Sequence, residues 1–144
     1  MREIKFRLWH IKSKEMFYSS LATMNILIGL DGSIKDVYIK EDITSEFVKL
    51  QFTGLKDKNG KEIYEKDGVI LHSYDYDIYG IVEYRPSLGF YCKVTSVYDT
   101  NDCVTMPTKM RTAYITQSRC EVIGNIYENP ELLEAKWKVI WFWD

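Results

Sequence analysis

Apolar and polar positions alternate from the first residues onward: Ile4, Phe6 and Leu8 are separated by Lys5 and Arg7, the period of two expected of a strand with one face on a core. A polar loop at 12–15 follows, so residues 16–18 are predicted to return as the second strand of a hairpin. Residues 25–30 and 33–39 flank Asp31-Gly32, a pair that readily adopts the positive backbone angles of a two-residue type I′ turn, and a second hairpin is predicted there. The polar stretch 40–47 reads as a connection with at most one helical turn at 43–46, and 48–52 resumes a strand.

Asn59-Gly60, within 58–61, repeats the turn chemistry, with Gly54-Leu55 on one side and Glu62-Ile63-Tyr64 on the other. Residues 68–74, 78–84 and 90–97 then form a predicted meander, joined by loops at Asp75-Tyr76-Asp77 and at 86–89, a pattern that suits a small barrel. Residues 99–119 are the least regular part, with a short strand predicted within 110–115, and 120–126 returns to strand pattern. Asn129 can cap a helix, Pro130 fits its first position and Glu131 complements its positive end. Leu133, Trp137, Ile140 and Trp141 continue at helical spacing, which predicts a short C-terminal helix, while 139–143 carries strand-forming residues as well. The expected fold is mainly β, one folding unit with a β-hairpin lobe at 1–50 and a barrel lobe with the helix at 51–144.

Composition narrows the class. A chain of 144 residues with 46% hydrophobic and 28% charged residues can bury a core without staples. The formal net charge of −2 supplies no global field for a phosphate backbone. The start lacks the apolar run of a secretory signal, and the longest apolar stretch, 139–143, is far too short to cross a bilayer, so a cytoplasmic protein without a membrane association is expected. Cys92, Cys103 and Cys120 are odd in number and carry no C-x-x-C pattern, so they read as reduced thiols, with Cys92 and Cys120 serving as small buried hydrophobes.

Candidate chemistry is thin. His10 and His72 are the residues suited to proton transfer near neutral pH, and neither sits in a recognised motif. His72, Asp75 and Asp77 form a cluster that would bind a divalent metal if the strand end and loop folded together, although a solvated loop is the plainer reading. Glu62, Glu65 and Asp67 offer carboxylate pairs of the kind a hydrolase uses. No nucleophile elbow, phosphate-binding glycine loop or zinc helix is present, so no catalytic residue, metal or cofactor is assigned, and the reading leans away from an enzyme. Tyr74, Tyr76 and Tyr79, with Arg85 and Lys93, are the candidate surface for nucleic acid, because aromatic rings stack bases; the same residues also fill cores and cross-strand pairs. Trp137, Trp141, Phe142 and Trp143 hold three of the four tryptophans in one short tail, which either packs onto the barrel or buries against another subunit.

Three segments, MREIKFRLWH at the start, QFTGLKDKNGKEIYEKDGV at 51–69 and EVIGNIYENPELL at 121–133, together resemble the YopX-like proteins encoded by bacteriophages and prophages. The resemblance implies an all-β fold with an SH3-like barrel in the C-terminal portion and implies no reaction. Two positions depart from the family pattern: His10 stands where aspartate is common, and Tyr64-Glu65-Lys66-Asp67 replaces tyrosine-glutamate-glycine-aspartate, with glycine at Gly68 instead. The function expected is that of a noncatalytic phage accessory protein that self-associates and contacts an unknown phage or host protein. The alternatives are an SH3-like nucleic-acid binder in phage replication or regulation and, third, a hydrolase using carboxylates such as Glu65 and Asp67.

Overall fold

Strand β1 (Phe6–His10) lies between β2 (Glu15–Tyr18) and the first half of β5 (Phe47–Lys56), pairing antiparallel with both. The computed structural model describes residues 3–18, 26–106 and 109–133 of the chain. All pairings between its strands are antiparallel. Two compact units divide between Gln51 and Phe52, inside β5. Among the described residues no helix is long and apolar enough to cross a membrane.

In the first unit, Glu3–Gln51, β1 departs from simple alternation, since Arg7, Leu8 and Trp9 are all buried. A strand with neighbours on both edges has its backbone satisfied, and here both of its faces are covered as well. The predicted second hairpin forms from β3 (Ile26–Ile28) and β4 (Ile34–Asp36), but its turn differs from the two-residue type. The Gly29 N–H donates to Ser33 O, the Gly32 N–H donates to Gly29 O, and Gly32 alone of the Asp-Gly pair takes a positive φ, +83°. Asp31 stays out of the left-handed region because its carboxylate accepts the Ser33 N–H and hydroxyl, which closes a three-residue loop. The strand predicted to run to residue 39 stops at Asp36, whose carboxylate caps the N–H groups of Tyr38 and Ile39 in a turn. A single 3-10 turn, Thr44–Glu46, precedes β5.

In the second unit, the last residues of β5 pair with β6 (Glu62–Tyr64) around the turn at Gly60, again a three-residue loop with φ +84° at the glycine. Asp57 anchors that turn. Its Oδ1 accepts the N–H groups of Asn59 and Lys61, and its Oδ2 accepts the N–H of Val122 in β12 (Cys120–Asn125). Burial opposes a charge there, yet the three donors outweigh it and hold the carboxyl below its ordinary range. A six-stranded sheet follows, in the order β10 (Val104–Met106), β9 (Gly89–Asp99), β8 (Tyr76–Arg85), β7 (Asp67–His72) and β12, with β11 (Thr112–Ala113) also on β9. Tyr76 and Asp77, expected in a loop, open β8, because the turn is made by residues 73–75 with the Ser73 N–H donating to Tyr76 O.

The sheet curls around two apolar clusters, one on each face. Val69, Leu71, Ile78, Val82, Cys92 and Val97 pack with Ile63 and Cys120, while Tyr79, Ile81 and Tyr98 pack with Leu132. Burial pushes the Cys92 and Cys120 thiols up to about 12, so both behave as hydrophobes, whereas Cys103 is exposed. Leu132 lies in the 3-10 turn Pro130–Leu133, where the helix was predicted to begin; the remainder of that predicted helix lies outside the described residues.

Two backbone positions give direct tests. A Cβ on Gly80 would lie 2.4 Å from both Cys92 Sγ and Lys93 O, so Gly80→Ala should destabilise by about 1–3 kcal/mol in chemical denaturation. An unchanged midpoint would show that the strands can separate there. Lys66, at the position where the resemblance leads one to expect glycine, has φ +67°, with its N–H on Val82 O and its carbonyl accepting from Ile126 N. Lys66→Gly and Lys66→Ala both lose the 3.2 Å ion pair with Glu83, but only glycine escapes the left-handed penalty. The glycine variant should therefore be the more stable by about 1 kcal/mol, the reverse of the order at an ordinary position.

Candidate functional site

The end of β7, the start of β8 and the segment 110–119 enclose a cleft of about 310 Å³. Leu71 and Ile78, both buried, form its floor, and Ala113 of β11 backs it. Tyr76 and Tyr114 add aromatic walls, and Ser73, Thr112, Thr116 and Arg119 bring polar groups to the lining. The wall is positioned by backbone bonds. His72 N–H donates to Arg119 O, and the N–H groups of Arg119 and Cys120 both donate to Thr116 O, which ties the 116–119 turn to the edge of β7. A smaller cleft of about 80 Å³ shares β11 and is bounded by Leu88 and Tyr91.

His72, which also borders the larger cleft, is held by two carboxylates. Its Nδ1 is 3.0 Å from Asp77 Oδ1, its cross-strand partner, and its Nε2 is 2.7 Å from Glu121 Oε2 on β12. Lys58 Nζ approaches the same Glu121 oxygen at 3.5 Å. The hydrogen bond from His72 holds the Glu121 carboxyl below its ordinary value, against the opposing effect of burial and with further help from Lys58. Both ring nitrogens are thus engaged, and the residue works as a clamp across β7, β8 and β12. Asp75, the third member of the candidate cluster with His72 and Asp77, is turned elsewhere, as in the plainer loop reading, with its Oδ1 accepting from Asn101 Nδ2 at 3.2 Å. Among the described residues no group of three or more His, Cys, Asp or Glu side chains could hold a metal ion.

The other sequence candidates scatter. Tyr79 is buried in the cluster with Tyr98 and Leu132, Tyr76 faces the opposite cluster, and Tyr74 is exposed in the loop between β7 and β8. Arg85 lies over the Tyr91 ring at 5.1 Å, and Lys93 is exposed on β9, so these five residues share no common face. Asp67 is fully buried, its Oδ2 accepting the Tyr64 N–H, and Glu65 sits in the same turn; neither carboxylate lines either cleft. His10 Nδ1 accepts the Ser13 N–H at 3.1 Å and its ring packs on Phe47, a turn cap rather than a base. Trp137, Trp141, Phe142 and Trp143 lie outside the described residues.

A feature that alternation alone did not reveal is the exposure of the β3–β4 hairpin in the first unit. Leu27 is 61% exposed and Ile28 38%, Leu30 at the turn is fully exposed, and in the turn after β4 Tyr38 and Ile39 are exposed too. The outer edge of β3 pairs with no other strand among the described residues. Its sequence, Ile26-Leu27-Ile28, was legible as a strand but not as an uncovered one.

Comparison with known proteins places this geometry. Residues 5–134 match the family model described as YopX protein. A crystal structure of protein EF1440 from Enterococcus faecalis is 26% identical, with a TM-score of 0.53, covering 93% of this chain and 100% of that one. The X-ray structure of protein yopX from Bacillus subtilis shares the fold at 19% identity and a TM-score of 0.56, covering 93% of this chain and 98% of that one. No curated protein matches the chain.

The clamp predicts an acid-side signature. A carboxyl held below its ordinary value contributes stability that is complete above that value and is lost as pH falls through the lower, folded one. Glu121→Gln removes this group, so the variant's denaturation midpoint should fall less steeply than the parent's as pH drops below 4.5, the ordinary value for glutamate. Parallel pH profiles for the two proteins would show that the His72 contact does not couple to folding.

Proposed function

The chain belongs to the YopX family, and from that premise we propose that it is a noncatalytic binding protein that acts by associating with a second copy of itself. The observation that carries this reading is the exposed apolar β3–β4 hairpin, whose outer edge meets no other strand among the described residues. A two-stranded sheet is only marginally stable alone, and an open strand edge presents unpaired N–H and C=O groups to whatever can pair with them. Antiparallel pairing of β3 with β3 of another copy satisfies both needs and is self-complementary about a two-fold axis, the commonest symmetry of soluble oligomers. Asp67, His72, Asp77 and Glu121 are occupied by structural bonds, which supports a binding role over a hydrolytic one. In this reading the protein is a bacteriophage or prophage accessory factor of the bacterial cytoplasm. Its assembled form contacts a phage or host protein, and the aromatic residues Trp137, Trp141, Phe142 and Trp143 supply a further anchor.

Light scattering of the full chain tests the reading. A defined oligomer is expected, converted to monomer by the pair Leu27→Glu and Ile28→Glu, both at exposed positions of β3 where folding should not suffer. Deleting 137–144 separately reports the contribution of the tail. A parent chain that stays monomeric at high concentration, or an oligomer untouched by the hairpin pair, would remove the proposed interface.

A further inference from the structure

We propose that the cleft between the β7–β8 end and the 110–119 wall is a binding site for a small monovalent organic anion, a compact aromatic body bearing one carboxylate. Its volume of about 310 Å³ falls at the small end of the range of ligand sites, about 300–1,000 Å³. The lining has the composition of such sites: an apolar floor in Leu71 and Ile78, an aromatic wall in Tyr76, and a few polar groups at the mouth.

The anion follows from Arg119. Its guanidinium makes no ion pair or hydrogen bond among the described residues, although the backbone on either side of the side chain is fixed by bonds to His72 and Thr116. A guanidinium presents a rigid fork that matches a carboxylate with two parallel hydrogen bonds. Asp77 and Glu121 lie nearby but do not line the cleft, and their oxygens face His72 and Lys58. One free cation suits a single negative charge, whereas a phosphate site ordinarily adds a nest of backbone N–H groups or further cations. The hydroxyls of Ser73, Thr112 and Thr116 make no side-chain hydrogen bond among the described residues and are available to a ligand's polar edge.

Benzoate and its neutral counterpart benzamide are the probes, titrated into the isotopically labelled full chain and followed by amide NMR shifts. Benzoate should shift the Leu71, Ile78 and Ala113 signals saturably and bind about tenfold or more tightly than benzamide, the range expected for hydrogen bonds to a charged group. Arg119→Gln, at an exposed position, should keep the dispersed spectrum and lose that preference, with Arg119→Lys intermediate because it retains charge without the fork. Ala113→Leu, which narrows the cleft, should weaken both probes. The absence of saturable shifts, equal binding of the two probes, or a preference for benzoate that survives Arg119→Gln would each overturn the proposal. None of these outcomes depends on the oligomeric state, so failure here is distinguishable from failure of the self-association reading.

Discussion

The second unit depends on a buried negative charge. Asp57 is only 6% exposed, and a carboxylate in that position is costly unless donors surround it. Three backbone N–H groups do so, two from its own turn and one from Val122, 65 residues further along the chain. Lys58 reinforces the link by donating its N–H to Cys120 O. The turn between β5 and β6 is therefore fastened to β12, which in turn pairs with β7. This local arrangement gives a physical reason for the turn signature around Asn59-Gly60: the glycine takes the left-handed geometry, and the aspartate two residues before Asn59 satisfies the groups that the turn leaves open.

The same economy of polar groups recurs. Asp31, Asp36, Asp42, Asp99 and Asn125 each accept backbone N–H groups within three residues of themselves. His72, Asp77 and Glu121 cross-link three strands. Residues that look catalytic in a list of side chains are here bound to backbone or to one another. What remains available among the described residues is of a different kind, an apolar hairpin and a cleft lined by the unengaged Arg119 guanidinium.

Much of this was legible in the chain because period-two alternation and turn glycines report local physics. The hairpins at 6–18 and 26–36, the meander and the strand at 120–125 all appear near their expected places. The turn geometry was less legible, since Asp-Gly marks a bend without revealing whether the aspartate enters the left-handed region or uses its side chain to stay out of it. Tyr76 and Asp77 read as loop because their composition is that of a turn, while their pairing with Asp99 and Tyr98 is set by tertiary register. Glu121 could not be matched to His72 for the same reason: their 49-residue separation is bridged only by the β7–β12 ladder. Leu133 was read as the first apolar residue of a helical stripe but is 60% exposed, and it is Leu132 that is buried, against Gly68 and Gly124, two glycines whose absent side chains leave it room.

The β3 edge shows how a locally correct strand reading can leave its role open. Proteins that need to keep an edge unpaired place lysine, proline or a bulge on it, which raises the cost of pairing with another chain. Ile26-Leu27-Ile28 has none of these, and its register with β4 is unbroken. Lys35 and Asp36 put charge on β4 instead, and the backbone of Lys35 already forms a β-bridge with that of Asp42. The undefended strand is thus the outer one, and the defended strand is the one that already has neighbours. Among the described residues that distribution is the reverse of what protects an edge from pairing, which is why the β3 edge is the one we propose for contact with a second copy.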